Sequence, residues 1–179
     1  MKILSVITSR FSEDAADTWR VRSIARILRA NAHDVHMLHC VKKSLRQHLP
    51  YGEENHQSQF TSSVPLPFID PLVHVYIYRV VKKEHPDLIY ANGFGSAFAS
   101  ILTKIATRTP IIFDMHGGLI EEYLLRYPHP YRPSHPLVCC LFLLYKFVEF
   151  TALRFSDRIF CVSHNMIDYL HERKKVPLE

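Results

Sequence analysis

Apolar positions along this chain fall into two alternating kinds of segment. Short, nearly continuous apolar runs are typical of buried strands, and in the longer segments between them apolar residues recur every three or four positions, as in helices. The runs predict five strands: Ile3–Thr8, Asp34–Cys40, Leu88–Ala91, Ile111–Met115 and Arg158–Val162. The longer segments predict helices at about 17–30, 69–84, 96–106, 137–155 and 164–173, and a short one that opens at Glu121. This order predicts an α/β fold, a doubly wound, Rossmann-like parallel sheet with helices on both faces.

Two polar or proline-rich segments interrupt the alternation. The segment from Lys42 to Pro67 has few aliphatic residues and several prolines, so we expect a long excursion with little regular structure. It is followed by Asp70 and Pro71, a pair that predicts a helix N-cap and a first helical residue. The segment 127–136 carries four prolines, which exclude a helix there.

The composition is that of an ordinary globular protein of about one domain. The chain has 179 residues, of which 47% are hydrophobic and 22% are charged. Its formal net charge is +5, but the lysines and arginines are scattered, and the sequence carries neither an aromatic-basic RNA-binding signature nor a recognition helix. We therefore expect no nucleic-acid partner.

The cysteines and the first residues predict a reducing, cytoplasmic setting. Cys40, Cys139, Cys140 and Cys161 form no C-x-x-C pair, and three of them lie in apolar runs, where a thiol packs as a small hydrophobe. The apolar run after Lys2 is too short for a signal peptide and is typical of a first strand. The histidines lack the spacing of a metal site, so we expect no metal.

The most apolar segment of the sequence raises the question of a membrane. Leu137 to Leu153 spans 17 residues and includes Lys146 and Glu149, which is less than a membrane-spanning helix needs. A buried helix packed on the sheet is the favoured interpretation. An interfacial helix, with peripheral contact to a membrane, stays open as the alternative.

Polar, glycine-containing loops follow the third and fourth predicted strands. Asn92 and Gly93 end one strand, and Asp114, His116 and the pair Gly117 and Gly118 end the next; the last three lie in one loop. The carboxyl ends of parallel strands meet at the edge of the sheet where ligands bind. The loop around His116 is therefore the best candidate for a functional site.

The order of these pieces resembles a known family. The motifs HPDLIYANG at 85–93, PIIFDMHGG at 110–118 and FSDRIFCVSHNMIDYL at 155–170 are similar to the N-terminal half of family-4 glycosyltransferases, which have the two-domain GT-B architecture. The resemblance implies that residues 1–176 form a single acceptor-side domain and that the donor-binding C-terminal domain lies outside the chain. We expect residues 177–179 to begin a linker or to be a cloning scar.

The resemblance also implies an activity and a set of site residues. The reaction is the transfer of a hexose or related sugar, with retention, from a nucleotide-sugar donor to a sugar or lipid-linked acceptor; the nucleotide sugar is a substrate, and no cofactor is expected. The catalytic residues implied are His116, which contacts the donor sugar, and Asp114, which fixes the orientation of His116. The substrate-binding residues implied are Ser9, Arg10, Asn92, Gly93, Gly117, Gly118 and Ser163.

Two departures from the family pattern affect these expectations. The loop after the first strand, residues 9–14, has no glycine where the family has a Gly-Gly pair, so the side chain of Arg10 would meet an anion instead of the backbone. The family's donor-binding Glu-x7-Glu motif has no counterpart. We therefore expect only half of a catalytic unit, inactive alone.

Other interpretations remain open beside this one. The chain could be a natural subunit that works with a separate donor-binding chain, or a non-catalytic ligand-binding domain of the same fold. Dinucleotide binding at Gly93-Phe94-Gly95 is disfavoured, because Phe98 stands where the fingerprint needs a third small residue.

Overall fold

A computed structural model describes residues 1–8, 16–42, 57–126 and 136–174. Its six strands are β1 (Lys2–Ile7), β2 (Asp34–Lys42), β3 (Gln57–Ser62), β4 (Leu88–Asn92), β5 (Ile111–Met115) and β6 (Arg158–Cys161). They form one entirely parallel sheet in the order β3-β2-β1-β4-β5-β6. The predicted Rossmann-like α/β fold is confirmed.

Strand β3 was not predicted from the sequence. It lies in the segment 42–67, which was expected to have little regular structure, so that expectation is wrong for these six residues. β3 is an edge strand that pairs only with β2, from Met37↔Gln57 to Lys42↔Ser62, and most of its residues are half-buried. An edge strand with one partner can be polar. Its sequence then lacks the continuous apolar run by which a buried strand is recognised. Residues 43–56 of the same segment lie outside the described ranges.

Six α-helices lie between or after the strands in the described ranges, together with a short 3-10 helix at Pro67–Ile69. The α-helices are α1 (Ala16–Ala30), α2 (Pro71–Glu84), α3 (Gly93–Thr107), α4 (Leu119–Arg126), α5 (Pro136–Phe155) and α6 (His164–Lys174). The predicted cap of α2 is present, because the Asp70 carboxylate accepts a hydrogen bond of 3.0 Å from the backbone N–H of Leu72. Helix α3 begins three residues before the predicted start at Ser96. Its first residue, Gly93, has a φ of 79°, which a residue without a Cβ adopts without strain.

The helices lie on both faces of the sheet. The larger core contains apolar residues of α2, α3, α5 and α6 packed on one face, around Leu4, Phe113 and Ile89. The smaller core lies on the opposite face, where Val21 and Ala25 of α1 pack against the sheet. Among the described helices, only α1 contributes side chains to the core on this second face.

Helix α5 packs on the domain through one side only. Phe142, Val148 and Ala152 are buried, whereas the opposite side of the helix is exposed. The prediction that this helix is buried is therefore confirmed for one side of the helix and wrong for the other. Within the described residues, α5 is also the one helix whose length and apolar composition would suffice to cross a membrane. In its most apolar stretch of 18 residues, 28% of the residues are buried inside the domain.

Candidate functional site

The candidate site centres on a buried carboxylate at the end of β5. Asp114 has no exposed surface, and Arg20 of α1 holds it with two hydrogen bonds, from Nη2 to Oδ1 at 2.8 Å and from Nε to Oδ2 at 3.2 Å. This two-pronged geometry matches the planar guanidinium to the carboxylate. Residues 94 positions apart in the sequence are thereby fixed to each other across the edge of the sheet.

His116 lies next to this pair, one residue beyond β5. Its Nε2 is 3.0 Å from Oδ2 of Asp114, and its side chain is 22% exposed. The imidazole is therefore at the rim of the sheet and reachable from solvent, while a buried carboxylate orients its ring. A carboxylate that accepts one ring N–H fixes the orientation of the other ring nitrogen.

The surroundings of Asp114 keep its carboxyl ionised. Burial alone would raise the pKa of this carboxyl, but hydrogen bonds from His116, Arg20 and Tyr90 outweigh burial and lower the pKa to about 2. Burial also raises the pKa of the Tyr90 hydroxyl, and the neighbouring Asp114 charge adds to that effect. Tyr90 therefore stays a neutral donor beside a permanent negative charge.

Asn92 lies level with Asp114 in the adjacent strand and faces inward. The sheet register pairs Asn92 with Asp114 on one side and with Ile7 on the other. The amide nitrogen of Asn92 donates to the hydroxyl of Ser5 at 3.0 Å and to the carbonyl of Val6 at 3.1 Å. Asn92 thus ties β4 to β1 under the rim; in the described part of the chain its Oδ1 has no hydrogen-bond partner.

The N-terminus of α3 opens at the same rim. Ser96, in its first turn, accepts a hydrogen bond from the backbone N–H of Thr8 at 2.9 Å and donates to the carbonyl of Asn92 at 2.7 Å. Gly95 permits this close approach, because a Cβ there would lie 2.7 Å from the Thr8 hydroxyl and 2.9 Å from the ring of Phe68. The helix start is therefore locked to the end of β1.

The loop after β5 rests on an acidic cluster. A Cβ at Gly117 would collide with the carboxylate of Glu122, and one at Gly118 with that of Glu121. Glu149, buried on α5, accepts a hydrogen bond of 3.1 Å from the backbone N–H of Ile120 and pairs with Lys174 of α6, which also lies 3.9 Å from Glu121. This cluster holds α4, α5 and α6 together below the loop.

Three predicted substrate-binding positions follow other strands. Ser163 lies two residues after β6, and it is exposed; its carbonyl accepts hydrogen bonds from the backbone N–H groups of Met166 and Ile167, which begins α6. The pairing of Met115 with Cys161 puts this loop beside the His116 loop. Ser9 and Arg10 lie outside the described residues.

Sequence reasoning missed two residues of this site, Arg20 and Tyr90. In the sequence, Arg20 is one of four arginines of α1, and its residue type does not set it apart from the others. Its position near the start of α1 was the available signal, because a helix that follows a parallel strand begins at the carboxyl edge of the sheet. Tyr90 lies two residues before Asn92 and therefore shares its side of the sheet. Over the ranges that the structure covers, no group of three or more His, Cys, Asp or Glu side chains could hold a metal ion.

Solved structures of similar fold include parts of several longer proteins. UDP-GlcNAc 2-epimerase of Methanocaldococcus jannaschii matches with a TM-score of 0.64 and 14% identity, over 99% of this chain and 43% of the epimerase. Sucrose-phosphate synthase of Thermosynechococcus elongatus matches with a TM-score of 0.63 and 15% identity, over 98% of this chain and 45% of the synthase. HepE of Anabaena, solved in complex with UDP, matches with a TM-score of 0.53 and 20% identity, over 89% of this chain and 37% of HepE. The chain thus spans less than half the length of each.

Sequence comparison identifies the family. No curated protein matches the chain by sequence. The sequence model of Glycosyltransferase Family 4, however, matches residues 18–179, which include β2 to β6 and every residue of the site from Arg20 to Ser163. Together with the fold of the similar structures, this match confirms the resemblance predicted from the sequence. The chain belongs to Glycosyltransferase Family 4 and has the fold of the N-terminal domain of a GT-B enzyme.

Proposed function

We propose that this chain is the acceptor-side domain of a glycosyltransferase that moves a sugar, with retention, from a nucleoside-diphosphate sugar to an acceptor. The observation that carries the proposal is the Arg20–Asp114–His116 arrangement at the carboxyl edge of the sheet, in a chain of this family. Similar structures support a uridine nucleotide, since one of them is a UDP-GlcNAc epimerase and another was solved with UDP.

His116 fits the role of a positioned polar group beside the reacting sugar. In sugar transfer, positive charge develops on the anomeric carbon and negative charge on the leaving diphosphate, so fixed polar groups contribute by stabilising the transition state. Asp114 orients the imidazole, and Arg20 fixes Asp114. Because the His116 side chain is 22% exposed, a donor sugar bound at the rim can reach it.

The low pKa of Asp114 favours a positioning role for this carboxylate over a role as the base. Direct displacement with inversion requires a base that takes the proton of the acceptor hydroxyl, and a useful base has a pKa near the working pH. The pKa of Asp114 is about 2, and its carboxylate is buried against Arg20 and His116. Asp114 is therefore a poor general base and a good positioning group.

A second domain is part of the proposal. The similar structures are more than twice as long as this chain, and the family's donor-binding Glu-x7-Glu motif has no counterpart in it. We infer that the opposite wall of the cleft, with most contacts to the nucleotide, comes from outside these residues. The 179-residue chain alone would then bind donor weakly and turn over no sugar.

Calorimetric titration with a panel of UDP-sugars and GDP-sugars tests this division of labour. The chain and the complete protein that contains it are titrated in parallel. We expect weak or no heat of binding with the chain and clear saturation by one donor with the complete protein. Tight binding by the isolated chain would contradict the division, and binding of no nucleotide sugar by the complete protein would contradict the proposed function.

A further inference from the structure

Helices α3 and α5 present a continuous apolar surface to solvent. Five side chains on their outward sides are at least half exposed, namely Leu102 60%, Ile105 65%, Leu143 53%, Phe147 55% and Phe150 63%; we call them the α3–α5 face. The two helices are joined across this surface, because the ring of Phe147 lies 5.8 Å from that of Phe98 on α3. Exposed apolar clusters of this kind mark interaction surfaces in soluble proteins.

Basic residues border the α3–α5 face, and the acidic Asp157, which follows α5, is paired with Lys104 of α3. Lys146 and Arg154 are exposed on α5, and Arg108 is exposed at the end of α3. Helix α3 has no acidic residue, and the single one on α5, Glu149, is buried and paired with Lys174. A surface of large apolar side chains bordered by basic residues complements an anionic lipid surface, which attracts both groups at once.

The packing of α5 excludes the alternative that it crosses a bilayer. On the side of α5 opposite the α3–α5 face, Val148 and Ala152 are buried in the larger core. Glu149 on that side accepts a hydrogen bond from Ile120 and pairs with Lys174, so a spanning orientation would carry a carboxylate into hydrocarbon and break its bonds. A helix of 20 residues fixed on the domain, about 30 Å long, can lie along a membrane surface.

We propose that the α3–α5 face docks onto the surface of an anionic phospholipid bilayer. The apolar side chains enter the boundary between headgroups and acyl chains, while Lys146, Arg154 and Arg108 contact the lipid phosphates. This contact does not depend on the proposed sugar transfer, because it uses no residue of the Asp114 site.

Vesicle flotation tests the docking with the purified protein. Vesicles of phosphatidylcholine alone are compared with vesicles that also contain phosphatidylglycerol. We expect at least about tenfold tighter binding to the anionic vesicles, and loss of that preference in about 1 M NaCl, where charges are screened. Absence of binding to either vesicle, or equal binding to both, would overturn the proposal.

Matched variants locate the contact. Leu143→Ser with Phe150→Ser should weaken vesicle binding by about tenfold or more, and Lys146→Glu with Arg154→Glu should remove the preference for anionic lipid. The control is Ile27→Ser with Arg26→Glu, an exposed apolar and basic pair on α1, on the other side of the sheet, which should bind as the wild type does. Melting temperatures confirm that each variant is folded. If the α5 variants bind vesicles as tightly as the wild type does, the face is not a lipid-docking surface. The same conclusion follows if the wild-type protein is a dimer that does not bind vesicles and the α5 variants are monomers.

Discussion

Two buried carboxylates in this molecule, Asp114 and Glu149, have similar partners and different surroundings. Each is almost fully buried, and each pairs with a basic residue of a helix, Arg20 of α1 or Lys174 of α6. Asp114 lies at the end of a strand and also contacts His116, whose side chain reaches solvent. Glu149 lies in the middle of α5, and its partners Ile120 and Lys174 connect α5 to α4 and α6.

The comparison separates a site from a structural clamp. A buried ion pair is by itself weak evidence for function, since such pairs also fix the packing of helices. At Asp114 the pair orients an accessible imidazole at the edge where parallel sheets bind ligands. We therefore expect changes at Glu149 or its partner to affect stability, and changes at Asp114 or its partners to affect sugar transfer as well.

The largest effect is expected from Lys174→Met. The substitution leaves the buried Glu149 carboxylate without its basic partner, which should lower the free energy of unfolding by about 3–5 kcal/mol. Urea denaturation measures the change, and Lys83→Met, at a side chain that is 83% exposed, is the control and should change it by less than about 0.5 kcal/mol. Turnover per folded molecule of the complete protein should be unchanged. A loss below about 1 kcal/mol would show that Glu149 is not held as a buried pair.

A smaller effect, with a characteristic pH dependence, is expected from Asp114→Asn. The pKa of Asp114 is lowered from 3.8 to about 2 in the folded protein, so its charged form stabilises the fold by about 2 kcal/mol above the unfolded pKa. That contribution should be complete at neutral pH, begin to fall near pH 4 and disappear as the pH falls below the folded pKa of about 2. Urea denaturation of wild type and Asp114→Asn over this range should show the difference between them shrinking with falling pH. A difference that stays constant would contradict the charged, paired state of Asp114.

The smallest effect is expected from Arg20→Lys. An ammonium cannot make both hydrogen bonds of the guanidinium, so Asp114 and His116 lose part of their orientation while the charge is kept. Turnover of the nucleotide-sugar donor by the complete protein should fall about tenfold, with little change in stability because the Arg20 side chain is 38% exposed. Arg26→Lys, on the exposed side of the same helix, is the control. Equal turnover by Arg20→Lys and Arg26→Lys would show that Arg20 has no role in the site.

Much of the fold could be predicted because its central strands are buried on both faces. β1, β4 and β5 carry near-continuous apolar runs, and each appears within two residues of its predicted bounds. Edge strand β3 needs no such run, so its polar sequence gave no signal. The long apolar helix α5 was predicted correctly as a helix, but its sequence did not reveal that only one side would be covered.

The candidate site could be predicted only in part. Asp114 and His116 stand out because they follow an apolar strand and precede two glycines. Arg20 does not, because its contact with Asp114 joins residues 94 positions apart and depends on how α1 packs over the sheet. The inward orientation of Asn92 toward Ser5 also depends on the pairing of β4 with β1.

The most direct test of the site is the turnover of His116→Ala in the complete protein. Nucleoside diphosphate release from the donor sugar is measured beside His85→Asn, a change at an exposed left-handed helix cap on the opposite edge of the sheet, where asparagine is tolerated. Removal of a fixed polar group that stabilises the transition state predicts a loss of about 100-fold in turnover for His116→Ala and wild-type turnover for His85→Asn. Wild-type turnover by both variants would contradict a catalytic role for the rim around Asp114 and His116.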